Sequence, residues 1–125
     1  MFTDLKIMQT ASALARHSVQ RHAQIAENIA NADTPGFKAK DLEPFSEAYA
    51  RSQSPVMDSQ RSGLSQQMFH AETITMEGVA SPDGNTVSLE DQMTRSTAAV
   101  RDHDTALTVY AKTLSMLRAT LGRRG

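Results

Sequence analysis

Prolines decide where this 125-residue chain can be helical. All four, Pro35, Pro44, Pro55 and Pro82, fall between positions 34 and 87 with four of the six glycines. A proline inside a helix removes a hydrogen bond and clashes with the preceding turn. Two long uninterrupted segments remain, one at each end. From about Thr3 to Asn31, the positions Leu5, Met8, Ser12, Ala15, Val19, His22, Ala26 and Ile29 recur at steps of three and four, the period of one helical face. Thr3 with Lys6 supplies only half of a capping box. At the other end Ser88-Leu89-Glu90-Asp91 is a Ser-x-x-acid helix start. Leu89, Met93, Ser96, Val100, His103, Leu107, Tyr110, Leu114, Leu117 and Leu121 follow in strict alternation of four and three. That helix is expected to run to Gly122, with Arg118, Arg123 and Arg124 at the negative end of its dipole.

The predicted fold is therefore mainly α and forms one structural unit. A helix fills 1–33, turns, short extended pieces and mobile loop fill 34–87, and a heptad helix fills 88–125. At 1.5 Å per residue each helix is on the order of 40 to 50 Å long, more than the middle segment can wrap. The two are expected to pack side by side as a coiled-coil-like pair, with left-over apolar surface finding other subunits. The candidate assembly seam is Leu5, Met8, Ala15, Val19 and Ile29 on the first helix. On the second it is Leu89, Met93, Val100, Leu107, Tyr110, Leu114, Leu117 and Leu121.

Composition narrows the function. The chain is 39% hydrophobic but only 5% aromatic and has no Trp, so a core of its own is thin and weakly stabilising. Thirteen basic against 14 acidic residues, a net charge of −1, argue against a protein that neutralises nucleic-acid phosphates. Without Cys there is neither a disulfide framework nor a thiolate metal site. The first twenty residues lack the apolar run of a cleavable signal or a membrane span, so any passage out of the cytoplasm is expected to use another route.

Between the helices stands Asn28-Ile-Ala-Asn31-Ala-Asp-Thr34-Pro35-Gly36-Phe37-Lys-Ala-Lys-Asp41. Asn28 and Asn31 lie three apart on the last helical turn, where carboxamides can bond nearby backbone groups and help end the helix. Thr34 is pushed to extended geometry by Pro35, and Pro35-Gly36 suits the centre of a type II turn with Gly36 at positive φ. Phe37 then emerges to fold back on the helix or press on another subunit.

This stretch resembles the signature after the first helix of the bacterial flagellar axial proteins, the rod, hook and hook-associated family, whose pattern is Asn-x-x-Asn-x-x-Thr-Pro-Gly-aromatic. Asp83-Gly84-Asn85-Thr-Val87 is similar to the family's Asp-Gly-Asn-x-Val lead-in to the C-terminal helix. With no large middle domain and with the Lys38-Ala-Lys-Asp41 continuation, the likeness is to a proximal rod member rather than to its neighbour in the rod. The resemblance covers residues 1 to 45 and 80 to 121, and His70-Ala-Glu-Thr73 aligns with a loosely kept region. It implies a structural subunit that is exported through the flagellar type III apparatus without signal cleavage and polymerises in the periplasm. The expected partners are copies of itself, other rod proteins, the membrane-ring protein and its rod adaptor. The product is a shaft that transmits torque to the hook, with heterologous contacts making a helical tube.

Enzymatic readings find little support. His70-Ala-Glu72 lacks the Cys ligands of zinc deaminases, His17 and His22 share no helical face, and there is no His-Glu-x-x-His or Gly-x-Ser-x-Gly. No catalytic, cofactor or metal residues are expected. His22 and His103 lie on the two seams and read as partly buried, hydrogen-bonded histidines. A soluble helical adaptor or export-chaperone-like module is the alternative from a different class, but it has no need of the Thr-Pro-Gly-Phe signature.

Overall fold

The computed structural model describes residues 2–53 and 69–122, so Pro55 and most of the Ser/Gln-rich stretch lie outside the described residues. A 29-residue helix α1 (Phe2–Ala30) and a 34-residue helix α3 (Leu89–Gly122) pack antiparallel along their length. Three short elements sit between them in sequence: β1 (Lys40–Leu42), α2 (Phe45–Gln53) and β2 (Thr73–Thr75). Strands β1 and β2 pair antiparallel, Asp41 opposite Ile74. Ser88 caps α3 as its pattern predicts, its Oγ accepting from Asp91 N–H at 3.3 Å. Helix α2 was not anticipated; Pro44 precedes its first residue, Phe45, and so delivers the chain into a helix where the sequence pattern suggested only turns.

The seam of the helix pair lies one residue away from the predicted one on both helices. Burial falls on Ala11, Ser18 and Ile25 of α1 and on Gln92, Ala99, Ala106 and Thr113 of α3, each set repeating every seven residues. Ala99 and Ala106 keep 2% and 1% of their surface, so the helices close on small side chains that permit near approach. None of the residues expected to join the helices is buried. Leu5, Val19, Ile29, Leu89, Met93, Val100, Leu107, Tyr110 and Leu121 are exposed, and Met8, Ala15, Leu114 and Leu117 are half-buried. The error has a physical origin: a stripe of small residues and a stripe of large apolar ones run side by side at the same period, and hydrophobicity picks out the larger. Moving one residue round each of two antiparallel helices leads to the same face of the pair. Accordingly Val19 and His22 share a groove with Val100 and His103.

A small satellite core lies on another side of α1. Leu42, Ala48 and Ala71 are buried against Phe69. His17, also buried, meets the edges of Phe45 and Phe69 at 5.8 and 6.2 Å, and Phe45 stacks on Tyr49 at 5.4 Å. Its Nε2 faces the carbonyl of Glu43 at 2.9 Å, and since a carbonyl only accepts, that nitrogen carries the proton. Thr10 gives its hydroxyl proton to Lys6 O, so Tyr49 donates to Thr10 Oγ1, at 2.7 Å, and pins α2 to α1.

Glu43 ties these pieces together. Its carboxylate accepts from the Arg51 guanidinium of α2 and, at 2.9 Å, from Glu72 N–H, while its own N–H donates to Glu72 O at 2.8 Å. Arg51 above all, and then the Glu72 N–H, hold the Glu43 carboxyl below its ordinary value. A carboxyl with a lowered folded value adds stability that is present above the unfolded value, about 4.3, and lost as pH falls through the folded one. Glu43→Gln should therefore be less stable than the parent near neutrality, and the gap in urea midpoints should shrink as pH falls below about 4.3. A gap that stays constant down to the acid transition would show that the ionised carboxylate has no such role.

Candidate functional site

The site that the two signatures build is a junction, assembled where α1 ends and α3 begins. Asn28 is its centre. The side chain is fully buried and does not cap its own helix, contrary to the expectation for this residue. It reaches across to the backbone of β1: Nδ2 donates to Lys40 O at 2.7 Å, and Oδ1 accepts from Lys40 N–H at 3.1 Å. A carboxamide thus pairs with a strand residue as a neighbouring strand would. The same Nδ2 donates to Oε1 of Gln92, also fully buried, at 3.0 Å, so one side chain joins α1, β1 and α3. Asn31 does what was expected of both, its Nδ2 donating to Glu27 O at 2.8 Å on the last turn; Thr34 Oγ1 donates to its Oδ1.

The turn follows with Phe37 N–H on Thr34 O at 3.2 Å and Gly36 at φ 75°. That is the hydrogen bond of a β-turn, with positive φ at its third residue. The segment before α3 then docks on it. Asn85, buried at 3% exposure, donates from Nδ2 to Asn31 O at 2.9 Å and Thr34 O at 2.8 Å, and its Oδ1 accepts from Val87 N–H. Gly36 N–H donates to Asp83 O at 2.9 Å, Thr86 N–H to Phe37 O at 3.0 Å, and Lys38 Nζ to Gly84 O at 2.9 Å. Gly84, at φ 87°, lies so close that a Cβ there would stand 3.4 Å from Gly36 Cα. The helix end and the helix lead-in, separate motifs in the sequence, are one hydrogen-bonded knot. Val87 and Phe37 are half-buried at its rim.

An ion cluster backs the knot. Asp41, buried, accepts Arg21 Nε and Nη2 at 3.1 and 3.2 Å and Arg95 Nη1 at 2.5 Å, and Arg95 Nε also reaches Asp91 at 2.8 Å. Sequence reasoning gave Arg21, Gln92 and Arg95 no role, and Asp41 only a place in the signature's continuation. The available signal was the larger polar residues Arg21, Asn28, Gln92 and Arg95 on stripes that elsewhere carry mainly small or apolar ones. His22 is exposed and His103 half-buried in the groove they share, and His70 is exposed. Among the described residues no cluster of His, Cys, Asp and Glu could hold a metal. No described helix is long and apolar enough to cross a membrane. Arg118 is exposed near the end of α3, and Arg123 and Arg124 lie outside the described residues.

The fold is a helix pair locked by a polar knot at one end, with large apolar residues turned outward, an arrangement suited to a structural subunit. Residues 9–38, most of α1 and the whole turn, match the family model described as flagella basal body rod protein. Over those residues the chain is similar to this family, and the likeness supports a structural role in the flagellar basal-body rod. Its similarity is to the flagellar basal body rod protein FlgB. With FlgB of Agrobacterium fabrum (strain C58 / ATCC 33970) it shares 28% identity over 131 residues, 95% of each chain. With FlgB of Yersinia ruckeri it shares 28% over 119 residues, 82% of this chain and 83% of that one.

Asn28→Ala would leave the two Lys40 backbone groups and the Gln92 carboxamide without their partner. At about 1 to 3 kcal/mol for each stranded group it is expected to cost about 3 kcal/mol or more in urea unfolding, against about 1 kcal/mol for Asn31→Ala. Equal costs would show that the carboxamide bridge is not what holds the junction. Gly36→Ala meets no atom within 4 Å, so its cost is the left-handed backbone alone, about 1 to 2 kcal/mol. Gly84→Ala carries the same strain with its Cβ in van der Waals contact with Gly36 and should cost at least as much; a clearly smaller loss in thermal melts would contradict the packing of the two turns.

Proposed function

We propose that the chain is a subunit of the proximal rod, polymerising into the drive shaft that carries torque from the membrane ring to the hook. The observation that supports this most is the division of the helix pair into two stripes. Its own seam is filled mostly by small residues, while Leu5, Val19, Ile29, Leu89, Met93, Val100, Leu107 and Leu121 remain on the outside, a surface a free subunit has no use for. The likeness to FlgB over nearly the whole chain points the same way. Neighbouring copies and other rod proteins would cover the stripe through heterologous contacts, which extend without closing. The membrane-ring protein and its rod adaptor are the neighbours at the base. The type III export apparatus would deliver the chain to the periplasm without cleavage. Such a role rests on packing and a fixed junction geometry and asks for no active site, cofactor or metal.

Deleting the gene and imaging isolated basal bodies tests the role. Loss of the rod and of motility with the membrane ring still present is expected, and intact rods would defeat the reading. Surface and seam can be separated in the same cells. Val100→Asp with Leu107→Asp changes only exposed positions, so the free protein should melt within a few degrees of the parent while rods and swimming are lost. Ala106→Leu overfills a site with 1% exposure and should lower the melting temperature itself. Normal rods from the double Asp variant would rule out the outward stripe as the assembly surface.

A further inference from the structure

The two-stranded sheet has one edge closed and one open. Glu43 N–H donates to Glu72 O and Met76 N–H to Ala39 O, at 2.8 and 2.9 Å. In an antiparallel ladder the hydrogen-bonded pairs then fall at 43 with 72, 41 with 74 and 39 with 76. The intervening residues, Lys40 and Leu42 on β1 and Thr73 and Thr75 on β2, aim their backbone groups away from the partner strand. On β1 three of the four are answered: Lys40 N–H and C=O by the Asn28 carboxamide, and Leu42 N–H by Asp41 Oδ1 at 2.7 Å. On β2 no group among the described residues meets the outward N–H and C=O of Thr73 and Thr75, and all three strand residues are exposed.

The strand carries no charge and no proline, two of the devices that normally blunt an edge. A ribbon of two strands is also marginal and gains from a third. Ile74 stands 46% exposed on this strand, and exposed Glu72 and Glu77 flank it. We infer that β2 is a docking edge that takes an extended segment of a neighbouring rod subunit as a third strand. That segment is uncharged and β-branched where it pairs with Thr73–Thr75, matching Thr and Ile across the strands, and carries Lys or Arg on a flank to meet Glu72 or Glu77. The inference rests on the assembly reading above but uses a surface separate from the helical stripe. Backbone pairing would set the register of neighbours, which a smooth apolar stripe leaves free to slide.

Residue-resolved deuterium exchange, on the free protein and on the same chain in isolated basal bodies, tests it. The Thr73 and Thr75 amides should exchange freely in the free protein and at least about tenfold more slowly in the rod, with Ile74, bonded within the sheet, as the protected reference in both. Thr73→Pro and Thr75→Pro delete the outward N–H without touching the pair of Asp41 and Ile74. Each should leave the thermal melt of the free protein unchanged and cut rod formation about tenfold or more. Equal exchange at Thr73 and Thr75 in rod and free protein would overturn the docking edge while leaving the assembly reading intact. So would normal rods from both proline variants. Slow exchange already in the free protein would mean that the chain covers its own edge, and the inference would fall. Rods that form without this chain would overturn both.

Discussion

The junction depends on one carboxamide. Asn28 sits where α1, β1 and α3 converge, and its side chain bonds polar groups of all three from a fully buried position. An apolar side chain there would leave Lys40's N–H and C=O stranded, and an aspartate would have acceptors only, unable to donate to Lys40 O or Gln92. Buried networks of this kind add specificity because nearly every alternative packing breaks a bond in low dielectric. With Asn28 in place, β1 is held in line, Asp41 is brought between Arg21 and Arg95, and the chain that follows can return to pair with β2.

The consequence runs outward to the turn. Because β1 is docked, Phe37 and Ala39 present backbone groups that Thr86 completes from the other side, through its N–H and its hydroxyl. Asn85 then binds the carbonyls of Asn31 and Thr34, which a helix end would otherwise leave to water. The two positive-φ glycines, Gly36 and Gly84, are where the segments touch. A residue with a Cβ at Gly84 would touch Gly36 and have to hold a left-handed backbone, so its strain falls directly on the lead-in to α3. Over a helix of 34 residues a small change of angle at one end becomes a large displacement at the other.

Much of this was legible in the sequence, and the parts that were not share a cause. Proline placement located α1 and α3 to within a residue or two, and the Ser88 start and the Thr34–Phe37 turn follow local rules of capping and φ preference. What local rules do not carry is pairing at a distance. Nothing near Asn28 announces that its partner is Gln92, 64 positions away, and nothing near Asp41 announces Arg95. Helix α2 and the His17 cluster escaped for the same reason, since Phe45, Tyr49 and Phe69 make a core only when brought against α1. The seam was misplaced by one residue because periodicity reports that a stripe is apolar and is silent on whether its partner is in the same chain.

That one-residue displacement is itself informative about the energetics. Burial of large apolar side chains is the strongest term available to a helix pair, about 1.5 to 3 kcal/mol for each Val, Leu or Met. Here that term is withheld from the subunit: Val100, Leu107 and Met93 face outward while Ala99, Ala106 and Gln92 face in. Small seams give close approach with little transfer energy, so the hairpin's geometry is set chiefly by hydrogen bonds and ions at the junction, which specify direction more than they stabilise. The large transfer term is then realised only when another surface arrives. A subunit divided in this way is well defined in shape but weakly held when alone, and it becomes rigid in proportion to how completely its neighbours cover it.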